Sequence, residues 1–366
     1  MKVCHLTSVH PALDTRIFYK ECKSLADAGW DVTLIARRET DEVVDGIKII
    51  RFYEFKTRWK RIFLSPLKMF TIARKQKADI YHFHDPELLI TGILLRFFTR
   101  SNVIYDIHEE YEVTIIDRRW IKFKIVRFII SKIFRYFELL VCRVMSANVV
   151  VLPDWLNKYP KATLVRNFPF LEKIKEKKDE NLFVYVGVIC EERSAKEMIL
   201  IFIELMKMIP DITFNIIGLF WEKDIEAEVM GHVNSHPNIT FLGFLPFPEA
   251  KKILAKTKYG FVLYSTTIYQ KYVSVKMYEY LANDVIPIYS SFKDLEHEIE
   301  KEGWGIGVNP KNPREAAQKI RDIITNREKI KTIKENMKKY REKYNWASEK
   351  RELLNLYKHL IKKSNK

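Results

Sequence analysis

The side chains best placed for chemistry stand at the ends of short apolar runs. His108 directly follows the run Asn102–Ile107, and a histidine just beyond a buried parallel strand faces the sheet edge where ligands bind. His82 and His84 alternate within Asp79–His84 and so share a face, with Asp85 next in the chain. A metal held by His-x-His needs further ligands of fitting geometry, and no spacing in the chain signals them, so no metal is assigned. His10, Asp14 and Arg16 follow the first apolar run, where a polar ligand would meet the protein. Lys276 and Glu279 lie three residues apart, one turn along the same helical face. Each group also has a plainer structural reading. His108 can be tied to Glu109 or Glu110, one of the paired histidines can be satisfied in the core, and Lys276 and Glu279 can be a surface pair.

The elements that position these residues repeat in type. Val3–Leu6 reads as a strand, Ser8–Asp14 as a loop, and Asp14 as the N-cap of a helix starting near Thr15. Ile17, Phe18, Cys22, Leu25 and Ala26 supply its apolar stripe, Gly29 ends it, and Val32–Ala36 is the next strand. This is one βαβ unit with parallel strands. Further strands are read at 47–52, 79–84, 102–107 and 149–152, with a long helical pattern over 118–145. The charged stretch Glu172–Asn181 reads as a linker. Strands at 182–186, 212–217, 239–242, 260–263 and 285–289 then alternate with helices near 195–208, 223–233, 246–256 and 273–282. Two βα series in tandem predict an α/β protein of two Rossmann-like domains facing across a cleft. The expected bounds are 1–170 and 171–340, with 341–366 as a C-terminal helix.

Composition narrows the function classes. A chain of 366 residues with 47% hydrophobic residues is long enough for two folded domains. Its 63 basic and 47 acidic side chains, a net charge of +16, favour an anionic partner. Only 11 glycines occur, with no Gly-x-Gly-x-x-Gly, no Gly-x-x-x-x-Gly-Lys and no Gly-x-Ser-x-Gly, which disfavours nucleoside triphosphatases, standard dehydrogenases and serine hydrolases. The four scattered cysteines are expected to be reduced and buried. Met1-Lys2 leads straight into a strand, and no uncharged apolar run reaches about 18 residues, so a cytoplasmic location is expected. Arg118–Phe137 carries Arg118, Arg119, Lys122, Lys124, Arg127, Lys132 and Arg135 among aromatic and aliphatic residues, with no acid. Such a basic amphipathic segment suits an anionic membrane surface, with Arg119, Trp120, Lys124 and Arg127 as contacts. A core helix with a solvated basic face is the alternative. No nucleic-acid motif accompanies the charge, so no nucleic acid is expected as a partner.

His10-Pro11-Ala12-Leu13-Asp14-Thr15-Arg16 and the helix after it, His82-x-His84-Asp85-Pro86, His108 and Val275–Ala282 together resemble the bacterial family-4 glycosyltransferases of the GT-B fold. The resemblance implies a C-terminal helix that packs back on the first domain. It also implies His108 at the reacting sugar, with Asp14, Arg16, His84 and Asp85 on the acceptor side. Arg193, Lys276 and Glu279 would hold the donor, Glu279 at the ribose and the two cations at the diphosphate. The leaving nucleoside diphosphate gains charge in the transition state, which fixed cations and a helix N-terminus stabilise. The chain departs from the family pattern at Val188, where a basic residue is usual, at Ser194 and Asp284, where glycine is usual, and at Lys271, where glutamate is usual.

No Asp-x-Asp is present, which argues against a metal-dependent GT-A route. The expected activity is retaining, metal- and cofactor-independent transfer from a nucleotide-sugar. The acceptor would be a lipid-linked saccharide or glycan, in cell-surface polysaccharide synthesis at the inner face of the plasma membrane. Retention comes from the resemblance alone. Two rivals remain: a nucleotide-sugar epimerase of the same fold, which would share the donor site and turn donor over without acceptor, and a degenerate, non-catalytic relative that only binds membrane or a partner enzyme.

Overall fold

The computed structural model describes residues 1–53, 57–117, 121–171, 176–265, 274–291 and 298–364. They form two units, Met1–Asn167 with Trp346–Lys366, and Phe168–Asn345. The division falls at Phe168 because that ring packs against Tyr278 and Tyr344 of the second unit. The charged stretch read as a linker already enters a strand at Asp179.

The first unit is built on eight strands: β1 (Lys2–Pro11), β2 (Asp31–Arg37), β3 (Glu42–Val44), β4 (Ile47–Phe52), β5 (Ile80–Phe83), β6 (Asn102–Ile107), β7 (Ala147–Val150) and β8 (Ala162–Leu164). Their order is β3-β4-β2-β1-β5-β6-β7-β8, parallel throughout except for β3 against β4. The inner strands are apolar runs buried on both faces, as helices on either side of a parallel sheet require. Strand order reverses between β1 and β5, and a crevice opens beyond the carboxyl ends of such a pair. Parallel register sets His5 opposite His82, so two imidazoles from different strands share one face.

The helix after β1 differs from the 3.6-residue stripe expected of it. Thr15–Cys22 is wound as a π-helix: Asp14 caps it by accepting from the Arg16 and Ile17 amides at 2.8 and 2.9 Å, and the Tyr19 amide donates to the Asp14 carbonyl. The wider winding buries Arg16, Lys20 and Glu21 along with Ile17 and Phe18. The pattern read over 118–145 is shorter too, a helix Lys124–Val144 preceded by another over Tyr111–Asp117. Trp346–Ser364 is the helix that returns to the first unit: Trp346, Leu353 and Tyr357 pack in its core, and the Trp346 indole donates to Ser24 Oγ at 2.9 Å.

The second unit carries six parallel strands, β9 (Asp179–Val186), β10 (Thr213–Ile217), β11 (Ile239–Gly243), β12 (Thr257–Val262), β13 (Ile286–Ser290) and β14 (Ile306–Val308). They are ordered β11-β10-β9-β12-β13-β14. Phe183, Phe202, Phe214 and Phe261 interlock at its centre, in edge-on, tilted and stacked pairs. Here the order reverses between β9 and β12, which places the ligand edge at Gly187 and at the chain following Val262.

Candidate functional site

In the first unit a cavity of about 290 Å3 opens at the reversal point, lined among others by His10, His84, Asp85, Asp106, His108 and Tyr111. Four of the residues singled out in the sequence, His10, His84, Asp85 and His108, meet here. His108 Nε2 stands 3.3 Å from His10 Nε2, and His10 Nε2 stands 3.5 Å from Asp85 Oδ1. The other oxygen of Asp85 accepts from Thr7 Oγ1 at 2.8 Å and from the Ser8 and Val9 amides, which shapes the end of β1. His108 Nδ1 lies 3.5 Å from Asp106 Oδ1. Burial opposes charge on the imidazole, but the Asp106 carboxylate outweighs it and raises the basicity of His108 above the usual value.

Arg16 and Asp14 do not line that cavity, contrary to the expectation that both would meet a ligand. Arg16 is 5% exposed and grips Asp106 through Nε and Nη2 at 3.0 and 2.9 Å. It also pairs with Glu21 at 3.1 Å. Burial alone would raise the Asp106 carboxyl, yet Arg16 and the two neighbouring imidazoles hold it well below the usual range. Glu21 is pushed well above its usual value by burial and by the Asp106 charge. Arg16 therefore acts on the site through Asp106, which in turn holds His108. Beneath them, His5 Nδ1 and His84 Nε2 are 2.9 Å apart, and the Tyr357 hydroxyl reaches His82 Nδ1 at 2.8 Å and His5 Nε2 at 3.2 Å. Burial lowers the basicity of all three of these imidazoles. His5, Glu21, His82 and His84 are grouped closely enough to hold a cation. Three of the ring nitrogens that face Glu21, however, are already engaged in these short contacts.

In the second unit Arg193 and Lys276, distant in sequence, converge on Gly187 at the end of β9. A Cβ on Gly187 would lie 2.2 Å from Lys276 Nζ and 3.1 Å from an Arg193 guanidinium nitrogen. The glycine, with φ of +143°, thus leaves the room that the two cations fill. Lys276 Nζ donates to the Tyr185 hydroxyl at 3.2 Å and sits 4.5 Å over that ring. Burial and the Arg193 charge lower the basicity of Lys276 well below that of a free lysine, with Glu279 opposing. Glu279 is one turn further along the helix Val275–Ala282. Two partly buried cations held together are suited to an anion, since a diphosphate placed there would relieve both desolvation and mutual repulsion. Ser194, at the family's glycine position, has φ of +48° and opens the helix Ala195–Met206, whose N-terminus adds positive potential beside Arg193. The loop after β12 is tied to this corner by the Ser265 amide, which donates to the Glu192 carbonyl at 3.1 Å.

Lys124 is exposed on the helix Lys124–Val144. Arg127 donates to the Ile116 carbonyl at 3.0 Å, so it ties two helices together. Arg119 and Trp120, and Lys271, lie outside the described residues. The sequence reading missed Asp106, Glu21, His5, Tyr185 and Tyr357. The signal available for Asp106 was a carboxylate inside an otherwise apolar run, which calls for a buried partner.

Residues 15–154 match the Glycosyltransferase Family 4 model, and residues 168–340 match the model of glycosyl transferases group 1. Each match falls on one of the two units. The chain therefore belongs to the GT4-like glycosyltransferases of the GT-B fold. Solved structures agree on the fold. The sucrose-phosphate synthase of Thermosynechococcus elongatus is 16% identical with a TM-score of 0.71, over 98% of this chain and 99% of that one. HepE of Anabaena, in complex with UDP-glucose, is 12% identical with a TM-score of 0.68, over 98% and 100%. The catalytic domain of starch synthase IV from Arabidopsis thaliana, bound to ADP and acarbose, is 11% identical with a TM-score of 0.67, over 99% of each. No curated protein matches the sequence.

Proposed function

We propose that this glycosyltransferase moves a sugar, with retention and without metal or cofactor, from a nucleotide-sugar to a lipid-linked saccharide or glycan during synthesis of a cell-surface polysaccharide. The observation that carries the donor assignment is the convergence of Arg193 and Lys276 on Gly187. Both cations stabilise charge that grows on the leaving diphosphate, and Glu279 accepts from the ribose hydroxyls. The solved structures that hold UDP-glucose and ADP support a nucleotide-sugar donor. His108, held by Asp106, supplies a fixed donor at the reacting sugar, and the cavity beside it takes the acceptor hydroxyl. Positioning and leaving-group stabilisation then account for most of the rate.

The membrane part of the proposal rests on the helix Lys124–Val144. Ile125, Phe128, Ile129, Ile133 and Leu140 are each at least half exposed there, and Lys124 and Lys132 are exposed among them. Phe97 and Phe98 add 68% and 72% exposed rings in the same unit. No helix among the described residues is long and apolar enough to cross a membrane, so this surface suits interfacial docking at the inner face of the plasma membrane.

A thermal-shift screen against UDP-, GDP-, ADP- and dTDP-sugars tests the donor, with stabilisation by one of them expected and lost in Glu279→Ala. No shift with any donor, or an unchanged shift in that variant, removes the assignment. Salt-sensitive binding to anionic vesicles is expected, and equal binding to neutral vesicles removes the electrostatic part.

A further inference from the structure

The second unit carries another concentration of positive charge at the opposite edge of its sheet. An open pocket of about 660 Å3 is bounded by Lys258 at the start of β12, Glu180 at the start of β9 and one face of the helix Arg327–Lys343. That face presents Arg327, Lys331, Lys334 and Lys338, spaced four, three and four residues apart, so they form one stripe over the pocket. No ion pair engages any of these four among the described residues. Like charges at this spacing repel, so the stripe is a cost to the free protein. Lys258 is 6% exposed beneath it, paired to Glu180. Burial and the Lys334 charge push Lys258 down to about 8. Lys178, which donates to the Leu254 and Asn283 carbonyls, is likewise pushed down to about 8 by burial, with Lys334 and Arg341 adding to the effect. Two carboxylates, Glu180 and Glu335, stand against five cations in the lining, which leaves the pocket positive. Ile324 and the buried Ile330 give it an apolar patch.

We infer that this pocket is a second anion site, built for a ligand carrying two or more phosphoryl charges, either a free phosphorylated metabolite or a phosphorylated lipid headgroup. A multivalent anion would offset the stripe's repulsion and the charge on the buried Lys258 together. The site is separate from the Gly187 corner. Glu180 and Gly187 lie at opposite ends of β9, roughly 20 Å apart at about 3.3 Å per residue. The helix Arg327–Lys343 also packs against Val275–Ala282, so an occupant would lie one helix away from Lys276 and Glu279.

The test uses the full chain and inorganic pyrophosphate in calorimetry. Arg193→Ala with Lys276→Ala removes the donor corner, and in that variant pyrophosphate binding should persist and weaken as salt rises. Adding Lys331→Gln and Lys334→Gln, which keep good helix formers at solvent-facing positions, should weaken it at least tenfold with the circular dichroism unchanged. A parallel arm measures binding to phosphatidylcholine vesicles with and without an anionic phospholipid. Weaker anionic-vesicle binding in Lys331→Gln/Lys334→Gln than in the unaltered chain, which keeps the same Lys124–Val144 surface, identifies a headgroup as the source, and loss confined to pyrophosphate identifies a free metabolite. If the glutamine pair leaves both pyrophosphate and vesicle binding unchanged, the site does not exist. The donor-site reading would stand in that case, since it depends on Arg193 and Lys276.

Discussion

Replacing Gly187 by alanine probes the donor corner directly. The new methyl carbon would stand 2.2 Å from Lys276 Nζ and 2.5 Å from its Cε. The flexible lysine end can swing aside, so the collision costs little stability, but the ammonium leaves the place where it faces Arg193. The backbone cannot adapt as cheaply, because φ of +143° is a region that L side chains avoid, at about 1–3 kcal/mol. For a unit of this size that corresponds to a melting temperature lower by roughly 2–12 °C. A displaced ammonium forfeits a charge-assisted bond to the diphosphate of about 1.5–3 kcal/mol, or about 10- to 150-fold in affinity. Calorimetry with the nucleoside diphosphate of the preferred donor reads this. A double-mutant cycle with Lys276→Ala then separates local from global damage. If Gly187 serves to make room for Lys276, alanine at 187 should cost much less affinity once the lysine is gone. Full additivity, or unchanged affinity in a folded Gly187→Ala protein, would defeat the argument.

Ser194→Gly should raise stability by about 1 kcal/mol, read from the denaturant midpoint, because φ of +48° at Ser194 suits glycine and the buried Ser194 hydroxyl has no bonding partner among the described residues. Stability of the second unit should rise with pH from about 8 toward 9.5. Lys178 and Lys258 are both pushed down from 10.5 to about 8, so the unfolded chain binds more protons over that range; above about 10, tyrosine ionisation in the unfolded chain reverses the trend. Urea midpoints across this range check the sign, and a falling curve would contradict it. Arg16→Met should destabilise the first unit by about 3–5 kcal/mol by stranding the buried Asp106 carboxylate, and adding Asp106→Leu should restore part of the loss in chemical denaturation.

The βα alternation of both units was legible because strand and helix periods and their glycine and proline breaks are local properties. The candidate residues were legible for a related reason. A right-handed crossover must deliver each strand's carboxyl end to the same edge, so His108, His84 and Arg193 had to stand at ligand edges. Arg16 shows the limit of that reasoning. It follows β1 as a ligand-facing cation would, yet the π-winding of Thr15–Cys22 turns it inward onto Asp106. Glu21 was hidden for the same reason, since a 3.6-residue wheel does not group it with Arg16. The helical pattern read from Arg118 begins only at Lys124 among the described residues, because a run of basic and apolar residues does not mark its own start.

Local periodicity marked the longer strands and helices and their apolar faces, but not the three-residue strands Glu42–Val44, Ala162–Leu164 and Ile306–Val308, which are too short to carry a period. Which side chains meet was settled by tertiary structure. Tyr357 reaches His5 across 352 positions of sequence, and Lys276 meets Arg193 because β12 lies beside β9. Strand order and the path of the last helix are set by burial of the whole core, a sum over residues far apart in sequence that no local window contains.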